Sequence, residues 1–250
     1  MMHIIYRACT ADKISTRPRY YSKPICLRTL LGAARQAEIG RFVLIFDGLE
    51  ESEVIDECLL GYPATELRRL YAVGNTASFM AAYELAVSFP DDDIIYFVED
   101  DYLHTELSLV KLGAAFDDIR EADYVTLYDH PVRYLAEYAG GIDISHRDTR
   151  MFIAGGHHWR SQESTCMTFA SRVSTLKEDR TLFERHLAGH EVPPDREVFR
   201  HLQGLLGYEA DSPTRLLLGP VPSLATHCHV DWLAPVIDWQ SVAKSAPGLK

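Results

Sequence analysis

Apolar and polar positions alternate along the first half of this chain in two distinct rhythms. Short, β-rich apolar runs read as buried strands, and runs with helical spacing separate them. His3 to Ala8 reads as a first strand. Pro24 to Ala37 reads as a helix, with Ser22 as its N-cap and Pro24 in its first turn. Arg41 to Phe46 is a second strand that ends at Asp47-Gly48, and a short helix follows over Glu51 to Leu60. Leu67 to Val73 reads as a third strand, and Thr76 to Phe89 as a helix with a buried stripe of Phe79, Met80, Tyr83, Leu85 and Ala86. Ile94 to Val98 is a fourth strand, Leu107 to Ile119 a helix and Tyr124 to Tyr128 a strand. Strands alternating with helices predict an α/β domain with a mostly parallel sheet and right-handed crossovers.

The rhythm then fades. Asp129 to Ser164 is polar and rich in Gly, His and Arg, and reads as irregular. Thr165 to Ala170 reads as a strand, Val173 to Leu187 and Asp195 to Leu205 as helices, and Leu216 to Leu218 as a short strand. Pro220 to Lys250 shows little periodicity. With no internal repeat and no long linker, residues 1–250 are expected to form one domain. Its regular α/β half would span 1–128 and its irregular half 129–250.

The fourth strand carries the most informative feature. Ile94-Ile95-Tyr96-Phe97-Val98 runs directly into Glu99-Asp100-Asp101. In open α/β sheets, ligands bind beyond the carboxyl ends of the strands. Three carboxylates delivered there repel one another unless a cation or a shared proton lies among them. A hard divalent cation with oxygen ligands, Mn²⁺ or Mg²⁺, suits that position.

Composition narrows the setting. The formal net charge of −11 argues against general nucleic-acid binding. It is unevenly spread. Residues 1–41 hold eight Lys or Arg against two acids, a net of +6, which leaves −17 for the other 209 residues. A basic segment on an acidic chain fits a phosphate-bearing ligand held between basic side chains and a metal. Five scattered cysteines, the lack of a signal-peptide pattern and the absence of a long apolar span together predict a cytoplasmic protein without a transmembrane segment.

In order, the motifs are a first strand with a basic loop, Phe46-Asp47-Gly48 at a strand end, Gly74-Asn75-Thr76-Ala77-Ser78 opening a helix, and Glu99-Asp100-Asp101. This series resembles the GT-A fold of nucleotide-sugar-dependent glycosyltransferases, in particular the family-2-like group. Arg7-Ala8-Cys9-Thr10 stands where that group usually has Pro-x-Tyr-Asn. The resemblance implies a metal-dependent hexosyltransferase. It would move a sugar from a nucleoside-diphosphate sugar to a hydroxyl of a glycan or other acceptor, with inversion, in bacterial-type glycan or polysaccharide synthesis. The resemblance also makes residues 1–128 a nucleotide-sugar-binding half and residues 129–250 an acceptor-side half. It implies Asp47 at the nucleotide base, Asn75 at the start of the adjacent helix, and Arg7 and Thr10 as donors to the base or a phosphate. Asp101 becomes the main metal ligand, Glu99 a contact to ribose or a metal-bound water, and Asp100 an intermediate case. His227 and His229 become further metal ligands, with His227 preferred.

An inverting transferase needs a general base. The resemblance places it at Asp195, with Glu197 as fallback. Asp195 follows Pro193-Pro194, where an acid also suits a helix start. Trp159, Trp232 and Trp239 are candidates to stack on a sugar, with Trp159 preferred for its Gly and His neighbours. Competing readings are a sugar nucleotidyltransferase, a metal hydrolase and a non-catalytic carbohydrate-binding module with a degenerate site. The first would need a Gly-rich basic loop after the first strand, and Arg7 to Arg19 contains no glycine.

Overall fold

The computed structural model describes residues 1–12, 14–50, 52–134, 149–206 and 214–248. Residues 135–148 of the polar stretch, and Lys13 of the basic segment, lie outside the described residues. The elements are β1 (Met2–Cys9), α1 (Lys23–Ala34), β2 (Ile39–Asp47), α2 (Glu53–Gly61), β3 (Glu66–Leu70) and α3 (Asn75–Ala86). Then come β4 (Ile94–Glu99), β5 (Tyr102–His104), α4 (Ser108–Asp118), β6 (Tyr124–Val125), β7 (Met151–Ala154), β8 (His157–Ser161) and β9 (Phe169–Arg172). The chain closes with α5 (Val173–Leu187), α6 (Asp195–Leu202), β10 (Leu217–Val221), β11 (Ala225–His227) and α7 (Trp239–Lys244).

Among the described residues, nine strands form one sheet in the order β3-β2-β1-β4-β9-β6-β10-β8-β7. The pairs β3-β2, β2-β1, β1-β4 and β6-β10 are parallel. Strands β9 and β8 are antiparallel to their neighbours, so seven strands share one direction and two oppose it. β11 and β5 make a separate antiparallel pair.

Alternation along the central strands separates two cores. Ile4, Tyr6, Tyr96 and Val98 face the layer of α1, α2, α4 and α7, packing with Leu27, Leu30, Leu112 and Trp239. Ile5, Ile95 and Phe97 face the layer of α3, α5 and α6, packing with Phe79, Tyr83, Phe183 and Phe199. A strand buried on both faces must be apolar at nearly every position, which is why β1 and β4 read so clearly in the sequence. Ser22 caps α1 as expected, its Oγ accepting from the Ile25 amide at 3.2 Å.

The second half departs from expectation. The stretch read as irregular contains a hairpin, β7-β8, turned by Gly155-Gly156 with φ of 56° and 66°. Two consecutive positive φ values match a type I′ turn, which glycine adopts without a Cβ penalty. The expected strand at Thr165–Ala170 instead covers Phe169–Arg172 and inserts antiparallel between β4 and β6. The tail holds the end of β10, all of β11 and α7. Trp159 is a correction as well: it is fully buried in the core, donating its indole N–H to the Ala154 carbonyl at 3.2 Å. Of the three tryptophans, Trp232 is the exposed one, at 43%.

Candidate functional site at the carboxyl edge of the sheet

Strands β1, β2 and β4 end side by side, and strand alternation sends their acids to different partners. Arg7 and Glu99 are register partners on adjacent strands. Both turn toward α3, where Arg7 Nη2 donates to Glu99 Oε1 at 2.9 Å. Arg7 Nη1 donates to the Asn75 carbonyl and Oδ1, both at 3.1 Å, and to Ser78 Oγ at 2.9 Å. Asp100, one residue on, turns toward α1. Its Oδ2 accepts from the Cys9 amide at 2.9 Å and lies 2.8 Å from Lys23 Nζ. Asp101 Oδ2 accepts from Arg17 Nη2 at 2.8 Å and lies 3.0 Å from His227 Nε2. Each carboxylate of the acidic strand end therefore has its own cation. All three of those cations, Arg7, Lys23 and Arg17, come from the basic first 41 residues.

This pairing sets the charge states. Burial raises Glu99, Arg7 opposes that, and the nearby Asp101 and Asp195 add to it, leaving its carboxyl at about 7. Burial also raises Asp100 against the pull of Lys23. Asp101 goes the other way: burial is outweighed by His227 and Arg17, which hold it at about 2. Burial lowers the His227 imidazole, but Asp101 beside it raises it above its ordinary value.

The sequence placed Arg7 as a donor to a nucleotide. The structure buries it, 6% exposed, with its charge committed to Glu99 and its Nη1 to the start of α3. Arg7→Met should therefore cost about 3–5 kcal/mol, the scale of breaking a buried ion pair. The deficit should be largest above pH 7, where Glu99 is ionised, and shrink below it, because a protonated Glu99 needs no cation. Urea unfolding at pH 5.5 and 8 measures both.

Asp47 is similarly committed. Its two oxygens accept from the Val73 and Gly74 amides, each at 2.9 Å, and so shape the turn into α3. That turn holds Ala72 and Gly74 at positive φ. Asn75 opens α3 and holds Arg7. Thr10 is exposed beside Gly48, where a Cβ would come within 2.8 Å of the Thr10 methyl. A cleft of about 960 Å³ lies between this turn and the α5–α6 connection, lined by Val73, Asn75, Thr76, His190, Glu191 and Val192 among others.

Asp195 stands at the first position of α6, and Pro194 is the cap residue. Its Oδ1 accepts from the Arg196 amide at 2.7 Å. Burial raises its carboxyl, while the Arg196 amide, the Cys166 thiol and the charge of His227 moderate the rise to about 6. Asp195 in turn acts on Glu99, so the expected base and the acidic strand end share one electrostatic neighbourhood. Glu197 is exposed, and its charge acts on His186 of α5. His229 is not bonded to Asp101. Its Nδ1 accepts from the Asp231 amide at 3.3 Å, and its ring meets Trp232 edge-on at 5.7 Å. His130 packs edge-on against the same indole at 4.7 Å.

The residues that sequence reasoning missed here are Arg17, Lys23 and Cys166. Both cations lay in the basic segment already singled out, but nothing in their spacing assigned them to particular acids.

Two side chains fit a divalent cation. A carboxylate oxygen and an imidazole nitrogen, each about 2.1 Å from one octahedral ion and at right angles, lie about 3 Å apart. Asp101 Oδ2 and His227 Nε2 are 3.0 Å apart. Among the described residues no three His, Cys, Asp or Glu side chains converge as a metal cage. Two protein ligands accord with a site that a substrate's phosphate oxygens complete.

No protein-family profile matches this chain, and no curated protein sequence does. Among solved structures, the galactosyltransferase LgtC in complex with donor and acceptor sugar analogues aligns with a TM-score of 0.50 at 13% identity. The alignment covers 99% of this chain and 97% of that one. S. aureus TarS 1–349 aligns at 0.49 and 15% identity, covering 86% of this chain and 57% of that one. A 4-diphosphocytidyl-2C-methyl-D-erythritol synthase aligns at 0.43 and 11%, covering 96% and 95%. The likeness to LgtC shows the fold: an α/β, GT-A-type mixed sheet, mostly parallel and flanked by helices. No helix among the described residues is long and apolar enough to cross a membrane.

Proposed function

We propose that this chain is a metal-dependent glycosyltransferase. It moves a sugar from a nucleoside-diphosphate sugar to an acceptor hydroxyl, with inversion. The observation that carries the reading is the Asp101–His227 pair at 3.0 Å, near a half-buried Asp195 held at about 6. In that reading Asp101 and His227 hold the cation. The mixed oxygen and nitrogen set favours Mn²⁺ over Mg²⁺. When bound, the cation supplies positive charge against the leaving diphosphate.

The chain's own residues supply the rest. Asp195 accepts the proton of the acceptor hydroxyl, and the Arg196 amide and the Cys166 thiol orient its carboxylate. Glu99 faces the ribose or a water on the cation. Asp47 fixes the turn that opens toward the nucleoside, with Thr10 and Asn75 beside it. Trp232, whose ring lies nearly perpendicular to those of His130 and His229, offers an indole for a sugar to stack on.

The test is a calorimetric titration of Mn²⁺ against a panel of nucleoside diphosphates, followed by donor hydrolysis with the one that binds. Metal-dependent binding of one member is the expected result. Its absence across the whole panel would sink the transferase reading.

A further inference from the structure

We propose that Arg17 is the resident counter-ion of the metal pair: a divalent cation must displace it from Asp101, and the donor's diphosphate then takes it over. The proposal rests on the metal-dependent reading above and adds a residue and an order of events to it.

The guanidinium is built into the site from four directions. Nε donates to Asp12 Oδ1 at 3.1 Å, Nη2 to Asp101 Oδ2 at 2.8 Å and Nη1 to the Cys228 carbonyl at 2.8 Å. Nη1 also lies 3.4 Å from His227 Nε2. The Tyr21 ring lies 4.8 Å beneath the guanidinium carbon, and the side chain is only 12% exposed. The positive charge thus touches both atoms that fit the metal, Asp101 Oδ2 and His227 Nε2.

Two consequences follow from elementary chemistry. Asp101 Oδ2 accepts from Arg17 Nη2 and from the Nε2–H of His227, so Nε2 must give up that proton to solvent before it can ligate a cation. A cation ligated by both atoms takes the place of that proton and brings two positive charges against the guanidinium on the same oxygen, so repulsion opposes the Arg17–Asp101 bond. A freed guanidinium beside a doubly charged ion is repelled unless an anion lies between them. A diphosphate is such an anion, and the planar fork of arginine matches phosphate oxygens two at a time. Arg17 therefore opposes the bare metal and assists the metal with its nucleotide. Its loop is tied to the His227 segment through the Val230 amide and the Thr16 carbonyl at 2.9 Å, so the change is confined to the side chain's own reach. The outcome is reciprocal coupling: the nucleoside diphosphate tightens Mn²⁺, and Mn²⁺ tightens the nucleoside diphosphate by the same factor.

Electron paramagnetic resonance of free Mn²⁺ reads the binding without turnover. Wild type, Arg17→Met and Arg17→Lys are titrated with Mn²⁺ alone, then with UDP, GDP, CDP or ADP present. Arg17→Met should bind Mn²⁺ alone roughly tenfold tighter than wild type, and the nucleotide enhancement, roughly tenfold or more in wild type, should largely vanish. Arg17→Lys keeps the charge but cannot hold Asp101 and the Cys228 carbonyl together. It should fall between the two, and it decides the matter if Arg17→Met does not fold. Unchanged or weaker Mn²⁺ binding in both variants overturns the role of Arg17. So does wild-type Mn²⁺ affinity that no nucleotide alters, and in both cases the metal site stands. If wild type and variants bind no Mn²⁺ under any condition, the metal-dependent reading falls, and this proposal with it.

Discussion

Asp101→Asn should abolish Mn²⁺-dependent nucleoside diphosphate binding, lowering affinity by about 100-fold or more, or roughly 2.7 kcal/mol and upward. The substitution keeps the shape of the side chain and removes only its charge. That charge is present at every working pH, because His227 and Arg17 outweigh burial and hold the carboxyl at about 2. Without it, the Arg17 guanidinium and the His227 imidazole face each other with no anion between them, and an entering cation meets repulsion instead of a ligand. Calorimetry with the tightest-binding nucleoside diphosphate of the panel checks this, and wild-type affinity in the variant would refute the metal role. A second signature separates this residue from a bystander. A carboxyl whose folded pKa lies below its unfolded value of about 3.9 contributes stability that is present above that value and lost as pH falls toward 2. The wild type should therefore lose stability more steeply than Asp101→Asn between pH 4 and 2. At neutral pH the variant should melt lower, because a buried ion pair has lost one partner.

The two halves of the chain differed in how readily they could be read, and the difference has physical causes. β1 and β4 are covered on both faces, so apolar residues fill them, and their period was plain. β7 is an edge strand, with Met151 and Ile153 more than half exposed, and β8 beside it carries His157-His158-Trp159-Arg160, which looks like loop chemistry. The usable signal was Gly155-Gly156 between two short β-compatible runs, a hairpin pattern. β9 was misplaced by a few residues because Met167 and Thr168, which precede it, are as buried as the strand itself. At the site, the acidic strand end and its position at the carboxyl edge were legible from one run of residues. The pairing of those acids was not. It depends on strand parity and on the path of the 10–22 loop, which brings Arg17 to Asp101 across 84 residues. The acids do repel one another: the charge of Asp101 raises the carboxyls of both Glu99 and Asp100. Arg7, Lys23 and Arg17 compensate them one at a time, which also accounts for part of the basic bias of the first 41 residues.

Asp195→Asn should cut transfer by about 10²–10⁴-fold, the usual contribution of general base catalysis. Mn²⁺ and nucleoside diphosphate affinities should stay close to wild type. In the proposed role the acid suits proton transfer: burial lifts its carboxyl to about 6, near enough to neutral pH to be ionised yet basic enough to take a proton. The wild-type rate should accordingly rise with pH through an acid limb near 6, and the variant's residual rate should lack that limb. The same shift has an opposite effect on the fold. A carboxyl whose folded pKa exceeds its unfolded value favours the fold while it is protonated, so stability declines as pH rises from about 4 through 6. Asparagine carries no charge, and its amide oxygen can still accept from the Arg196 amide. Asp195→Asn should therefore melt above wild type at pH 8 while transferring far less sugar, the trade expected of a residue kept for activity at a cost in stability. An acid serving only the helix terminus would behave differently, because its removal would cost roughly 0.3–1 kcal/mol of stability and leave turnover intact. Wild-type turnover in Asp195→Asn would exclude it as the base.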